Sequence, residues 1–119
     1  MTDKEMIYTG NAKTDGAETR GWFVGGFLPE ACGLRSTNDV EVKWSEHEPG
    51  AARTEWVTSE TRTTVAVLIS GEFTMEFRDQ TITLTRPGDY VMWSRGTDHK
   101  WRVPNGGTLL TMRWPSESN

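Results

Sequence analysis

His99 and Trp101 stand two residues apart, so a strand places both on one face. A neutral imidazole there can ligate a metal or exchange a proton near pH 7, and the indole adds a flat apolar surface with one fixed N–H donor. A second set lies upstream. Thr58, Glu60, Arg62 and Thr64 share a face of a regular strand, which Ala66, Leu68 and Ser70 continue. Burying Glu60 and Arg62 costs free energy unless they pair or bind something. Glu60 with His99 would make a sparse carboxylate–imidazole pair for a divalent metal, with waters completing the shell. Glu60 with Arg62 would instead grip a polar ligand by charge-assisted hydrogen bonds. The third outcome is a structural ion pair between the two.

The remaining chemistry-bearing residues form no further constellation. His47, between Glu46 and Glu48 and just before Pro49-Gly50, reads as a surface loop histidine on the strand face opposite Val42 and Trp44. Six tryptophans are many for this length, and Trp101, sharing the face of His99, is the one expected beside a ligand. No Ser–His–Asp spacing and no glycine loop leading into a helix is present. The single cysteine, Cys32, has no basic neighbour nearer than Arg35 and reads as inert.

The elements that must position these groups are strands. Val40, Val42 and Trp44 alternate with Glu41, Lys43 and Ser45, as do Phe73, Met75 and Phe77 with Thr74 and Glu76. Arg53 to Ser70 is a long Thr-rich, β-branched run, and Arg53, Glu55 and Trp56 stand at its start. Pro87-Gly88 suits the centre of a type II turn before a short strand, Tyr90 to Trp93. Pro104 to Gly107 turns into a last strand with Leu109, Thr111 and Arg113 on one face. Trp22 to Val24 and Phe27, split by Gly25-Gly26, read as a first strand with a bulge or bend, and Pro29 to Asn38 reads as loop. With no helical period anywhere, an all-β sandwich or barrel is expected.

The stretch from Gly88 to Trp101 resembles the second motif of the cupin family. Gly88, Gly96 and His99 hold the motif's glycine, glycine and histidine positions at the right spacing, while Ser94 and Val103 stand where it has proline and asparagine. Val65 to Glu72 is similar to the end of the first motif. The resemblance spans about residues 22–114 and implies a jelly-roll β-barrel of antiparallel strands. It also implies that His99 and the face of Glu60 and Arg62 point into a cavity, with Arg53, Glu55 and Trp56 at its mouth. Members often pair as homodimers, which makes the arm of residues 1–21 a candidate for pairing across the two-fold, with residues 115–119 as a flexible tail. Cupin enzymes typically hold a metal with two histidines and a glutamate of the first motif plus the second-motif histidine. Those first-motif positions fall on Thr58 or Val57, on Glu60 or Ser59, and on Thr64. The chain has only two histidines, so a three-histidine set is arithmetically impossible.

At 119 residues the chain is expected to form one domain. Its net charge of −4, with scattered basic residues, argues against a nucleic-acid partner. No apolar run suits a membrane span and the start lacks a signal peptide's pattern, so a cytoplasmic protein is expected. The leading expectation is a binding module holding a small polar or anionic molecule with Glu60, Arg62, His99 and Trp101 and no tightly held metal. The alternative is an isomerase- or oxygenase-type enzyme with a loosely bound divalent metal on His99 and Glu60. A third is a stress-related or regulatory protein acting through its outer surface.

Overall fold

The computed structural model describes residues 6–116. Among these residues nine strands form two sheets in which every pairing is antiparallel. The five-stranded sheet runs in the order β1 (Trp22–Val24), β2 (Glu41–His47), β9 (Gly107–Trp114), β4 (Thr63–Gly71), β7 (Tyr90–Trp93). The four-stranded sheet runs β3 (Ala51–Val57), β8 (His99–Val103), β5 (Phe73–Phe77), β6 (Thr81–Leu84). Face to face, the two make the expected all-β jelly roll.

Local chemistry explains the corners. The Asp89 N–H donates to the Arg86 carbonyl at 2.9 Å with Gly88 at φ +96°, the turn that Pro87-Gly88 predicts. Gly96, at φ +83°, makes the next turn, and its N–H donates to the Glu60 carbonyl at 2.8 Å, tying the β7–β8 corner to the β3–β4 corner. Leu68, Val103 and Leu109 are sealed from water, and with Phe73, Met75 and Leu84 they form the core layer between the sheets. Thr64, Ala66 and Leu68 are the buried face of β4, as the alternation implies.

Four features differ from the sequence expectation. Arg53 to Ser70 is not one strand: Ser59, at φ +59°, breaks it, and its halves join different sheets. The segment expected as an arm or edge strand contains a one-turn helix, α1 (Ala12–Asp15), capped by the Asn11 side chain, which accepts from the Thr14 N–H at 3.0 Å. It folds onto its own barrel, where Arg35 Nε donates to the Phe23 carbonyl and Arg35 Nη2 to the Asp15 carbonyl at 3.0 and 3.2 Å. Glu30–Arg35 is a kinked 3-10 helix rather than plain loop. Ser116 is anchored rather than part of a flexible tail: it is buried, and its Oγ donates to Glu41 Oε2 at 2.9 Å and accepts from the Gly26 N–H at 2.7 Å. The ends of the expected arm and tail, residues 1–5 and 117–119, lie outside the described residues.

The outer face of the five-stranded sheet is apolar across four neighbouring strands. Val42, Met112, Val65 and Met92 stand opposite one another in one row, and Trp44, Leu110, Val67 and Tyr90 in the next. Among the described residues no helix is long and apolar enough to cross a membrane.

Candidate binding cavity

Strand β2 decides what the barrel encloses. Its apolar alternates Val42 and Trp44 lie on that outer face, so Glu41, Lys43, Ser45 and His47 point between the sheets. Above the core layer a cavity of about 160 Å³ opens, with Lys43, Thr111 and Arg113 on one wall and Arg53, Trp101 and His99 on the other. A cavity of about 150 Å³ accommodates benzene, so this one suits a compound of a few non-hydrogen atoms.

His99 and Trp101 share the inward face of β8 and both line the cavity, as their spacing predicts. His99 Nδ1 lies 2.9 Å from the Thr97 carbonyl. A carbonyl only accepts, so Nδ1 carries the proton and Nε2 keeps its lone pair in the neutral ring. Burial lowers the His99 pKa below 6.5 despite the opposing pulls of the Thr97 carbonyl, Glu60 and Asp98. His47 is not the surface histidine expected from its neighbours. It lines the same cavity, its ring 4.6 Å from Trp101 and 5.9 Å from Phe73, and burial followed by the Lys43 charge lowers its pKa. Both imidazoles are therefore held toward their neutral forms near pH 7.

Glu60 and Arg62 separate in role. Because Ser59 turns the chain, Glu60 enters the cavity wall from a corner, while Arg62 is absent from the lining. Arg62 Nε donates to Glu60 Oε2 at 2.6 Å, Nη2 to Glu60 Oε1 at 3.2 Å, and Nη1 to Glu41 Oε1 at 2.9 Å. The arginine expected to grip a ligand is thus a link in an ion network. Glu41, 1% exposed, is its centre and also accepts from Arg113 Nε at 2.6 Å. Burial pushes the Glu60 pKa up, but the Arg62 hydrogen bond and charge, with help from Arg113, bring it below 4.5.

The expected metal pair of His99 and Glu60 meets the same obstacle. Glu60 Oε2 accepts from the Thr61 and Arg62 N–H groups at 3.0 and 3.1 Å in addition to the guanidinium. Among the described residues no three His, Cys, Asp or Glu side chains form a group able to hold a metal ion. Lys43, Arg53 and Arg113 line the same space. A carboxylate already committed to arginine, surrounded by cations, does not fit a divalent metal.

The charges left over are positive. Glu41 and Glu60 are engaged by Arg62 and Arg113, whereas among the described residues no carboxylate pairs with Lys43 or Arg53. Lys43 Nζ lies 5.4 Å from the Trp22 ring centre, whose other contact is Arg113 at 4.0 Å. Trp93 also lines the cavity, and its indole Nε1–H is buried with no acceptor among the described residues. These are donors and cations without acceptors. Sequence patterning misses Lys43 and His47 because it assigns the apolar alternates of β2 to the interior.

No protein-family model matches the sequence, and no curated protein is significantly similar to it. Solved structures are. A cupin-2 domain protein from Shewanella frigidimarina is 24% identical over 64% of this chain and 71% of that one, with a TM-score of 0.54. KdgF from a Halomonas species is 20% identical over 68% of this chain and 74% of that one, with a TM-score of 0.61. A protein from Neisseria meningitidis is 17% identical over 89% of this chain and 98% of that one, with a TM-score of 0.58. The chain has the cupin fold.

Proposed function

We propose that this protein binds a small organic anion in the barrel. The observation that carries this is the surplus of positive charge inside the cavity, Lys43 and Arg53, in a chain whose net charge is −4. Lys43, kept partly out of water without a counter-ion, costs stability until an anion arrives, and Arg53 stands exposed at the cavity's edge to meet it. The neutral His99 Nε2 and the buried Trp93 Nε1–H add one acceptor and one donor, and Trp101 supplies an apolar wall. Of the residues expected at the ligand, Glu60, His99 and Trp101 stay in the wall, and Arg53 replaces Arg62.

The test is a thermal-shift titration with acetate, pyruvate and phosphate against acetamide as a neutral match. An anion at a hundred times its dissociation constant stabilises by about 2.7 kcal/mol, several degrees in melting temperature. Arg53→Gln is expected to weaken that anion roughly tenfold or more, the loss of one charge-assisted hydrogen bond. Equal shifts from acetamide and acetate would sink the reading. So would stoichiometric divalent metal that is lost on His99→Ala, which would support the metal-dependent enzyme instead.

We further propose that two copies pair through the apolar outer face of the five-stranded sheet. Tyr90 and Met92 are 63% and 52% exposed, and neither apolar row contains a charge, so a two-fold can stack the face on itself without like-charge contact. Light scattering at micromolar concentration is expected to give twice the chain mass of 13.4 kDa, reduced to one chain by Leu110→Glu. A wild-type monomer contradicts the pairing.

A further inference from the structure

We propose that Lys43 forms an imine with a small oxo acid held in the cavity, an inference that rests on the anion-binding reading. The side chain projects inward from β2 opposite Thr111 of β9, and its only contact partner among the charged or aromatic groups described is Trp22. The charged groups around it are cations: Arg113 from β9, Arg20 from the loop before β1, and Arg53 from the facing sheet. The carboxylates of the site, Glu41 and Glu60, are taken by Arg62 and Arg113. Burial first, then the charges of those three arginines, lower the ammonium pKa below 10.5, which raises the share of free amine. An amine desolvated beside other cations is an activated nucleophile toward a carbonyl.

The same surroundings select the electrophile. Arg53, on the opposite wall, offers a guanidinium to a carboxylate, and a compound bridging from it toward Lys43 presents the adjoining carbonyl to the amine. The cavity volume of about 160 Å³ restricts this to short oxo acids. In the step the nitrogen lone pair attacks the carbonyl carbon and a C–N bond forms. One N–H proton and one solvent proton leave with the carbonyl oxygen as water, giving the protonated imine. No electrons are gained or lost, so no oxidant or reductant is required.

The other described lysines are internal controls. Lys13 is paired with Glu46 at 2.9 Å and its side chain is 71% exposed, while Lys100 lies over Trp56 at 4.7 Å, outside the cavity lining. The full chain is incubated with pyruvate and cyanoborohydride, and the reduced adducts are mapped by peptide mass spectrometry. Lys43 is expected to be labelled at least about tenfold faster than Lys13 or Lys100, because bound pyruvate is held beside it. Acetone, which lacks the carboxylate, should show no such preference. Lys43→Arg should lose the adduct; if that variant does not fold, the wild-type map decides alone. Labelling of Lys43 no faster than Lys13, with the pyruvate shift intact, overturns the imine and leaves anion binding standing. Absence of both overturns both.

Discussion

Glu41→Gln is expected to lower the unfolding free energy by about 3 kcal/mol, the low end of the cost of breaking a buried ion pair from one side. For a chain of 119 residues that is a fall of roughly 10 °C in melting temperature. Gln keeps the shape, so the loss is electrostatic. Glu41 accepts from Arg62, Arg113 and Ser116, and without its charge two arginines share the single carboxylate of Glu60. The low end applies because the Arg62 and Arg113 side chains are 16% and 25% exposed, so water screens part of the imbalance. Adding Arg62→Met restores the balance of charge, and the double variant should cost less than the sum of the two single changes. Urea unfolding at pH 7 measures both; a loss under about 1 kcal/mol for Glu41→Gln would show the network to be dispensable. Acid adds a sign. The Glu60 pKa is lowered in the fold, so its contribution is present above 4.5 and is lost as pH falls through the lower folded value.

What was legible in the sequence depended on whether one residue's chemistry dictated one geometry. Pro87-Gly88 and Gly96 name their turns because few other residues accept those backbone angles, and the four-residue run Tyr90–Trp93 between them is strand β7 as read. Strand periodicity put His99 and Trp101 on one face, and the resemblance of the Gly88–Trp101 stretch turned that face inward. Periodicity marks two faces but does not say which is inside. On β2 the apolar alternates face outward because the inward polar set is satisfied by partners far along the chain: Glu41 by Arg62 and Arg113, His47 by the rings of Phe73 and Trp101. No local signal announces partners 21 and 72 residues away. The break at Ser59 was hidden for a related reason, since a serine at positive φ carries no mark in its neighbours. That one residue moved Glu60 into a corner and Arg62 out of the cavity. Helix α1, at four residues, is too short to show a period at all.

Gly71→Ala is expected to cost at least about 3 kcal/mol, combining the strain of a left-handed alanine with displacement of packed backbone. Gly71 has φ +78°, and a Cβ there would stand 2.4 Å from the Gly106 carbonyl oxygen and 2.7 Å from the Gly107 Cα. Both obstacles are backbone, and both are fixed: Gly71 is in register with Gly107, and the Glu72 N–H donates to the Gly106 carbonyl at 3.0 Å. The β4–β5 corner and the β8–β9 turn therefore touch through glycines at one end of the barrel. The cavity floor depends on that contact. Phe73 leaves the corner two residues later to meet Trp101 at 5.8 Å, and His47 is in register with Gly107. Gly88→Ala is the matched control, with φ +96° but nothing within 4 Å of the added carbon, so it should show the strain alone, about 1–2 kcal/mol. Urea unfolding of the two variants side by side isolates the contact as their difference. Equal losses would mean that the glycine pair is conformational only, and that the cavity floor tolerates separation of the two corners.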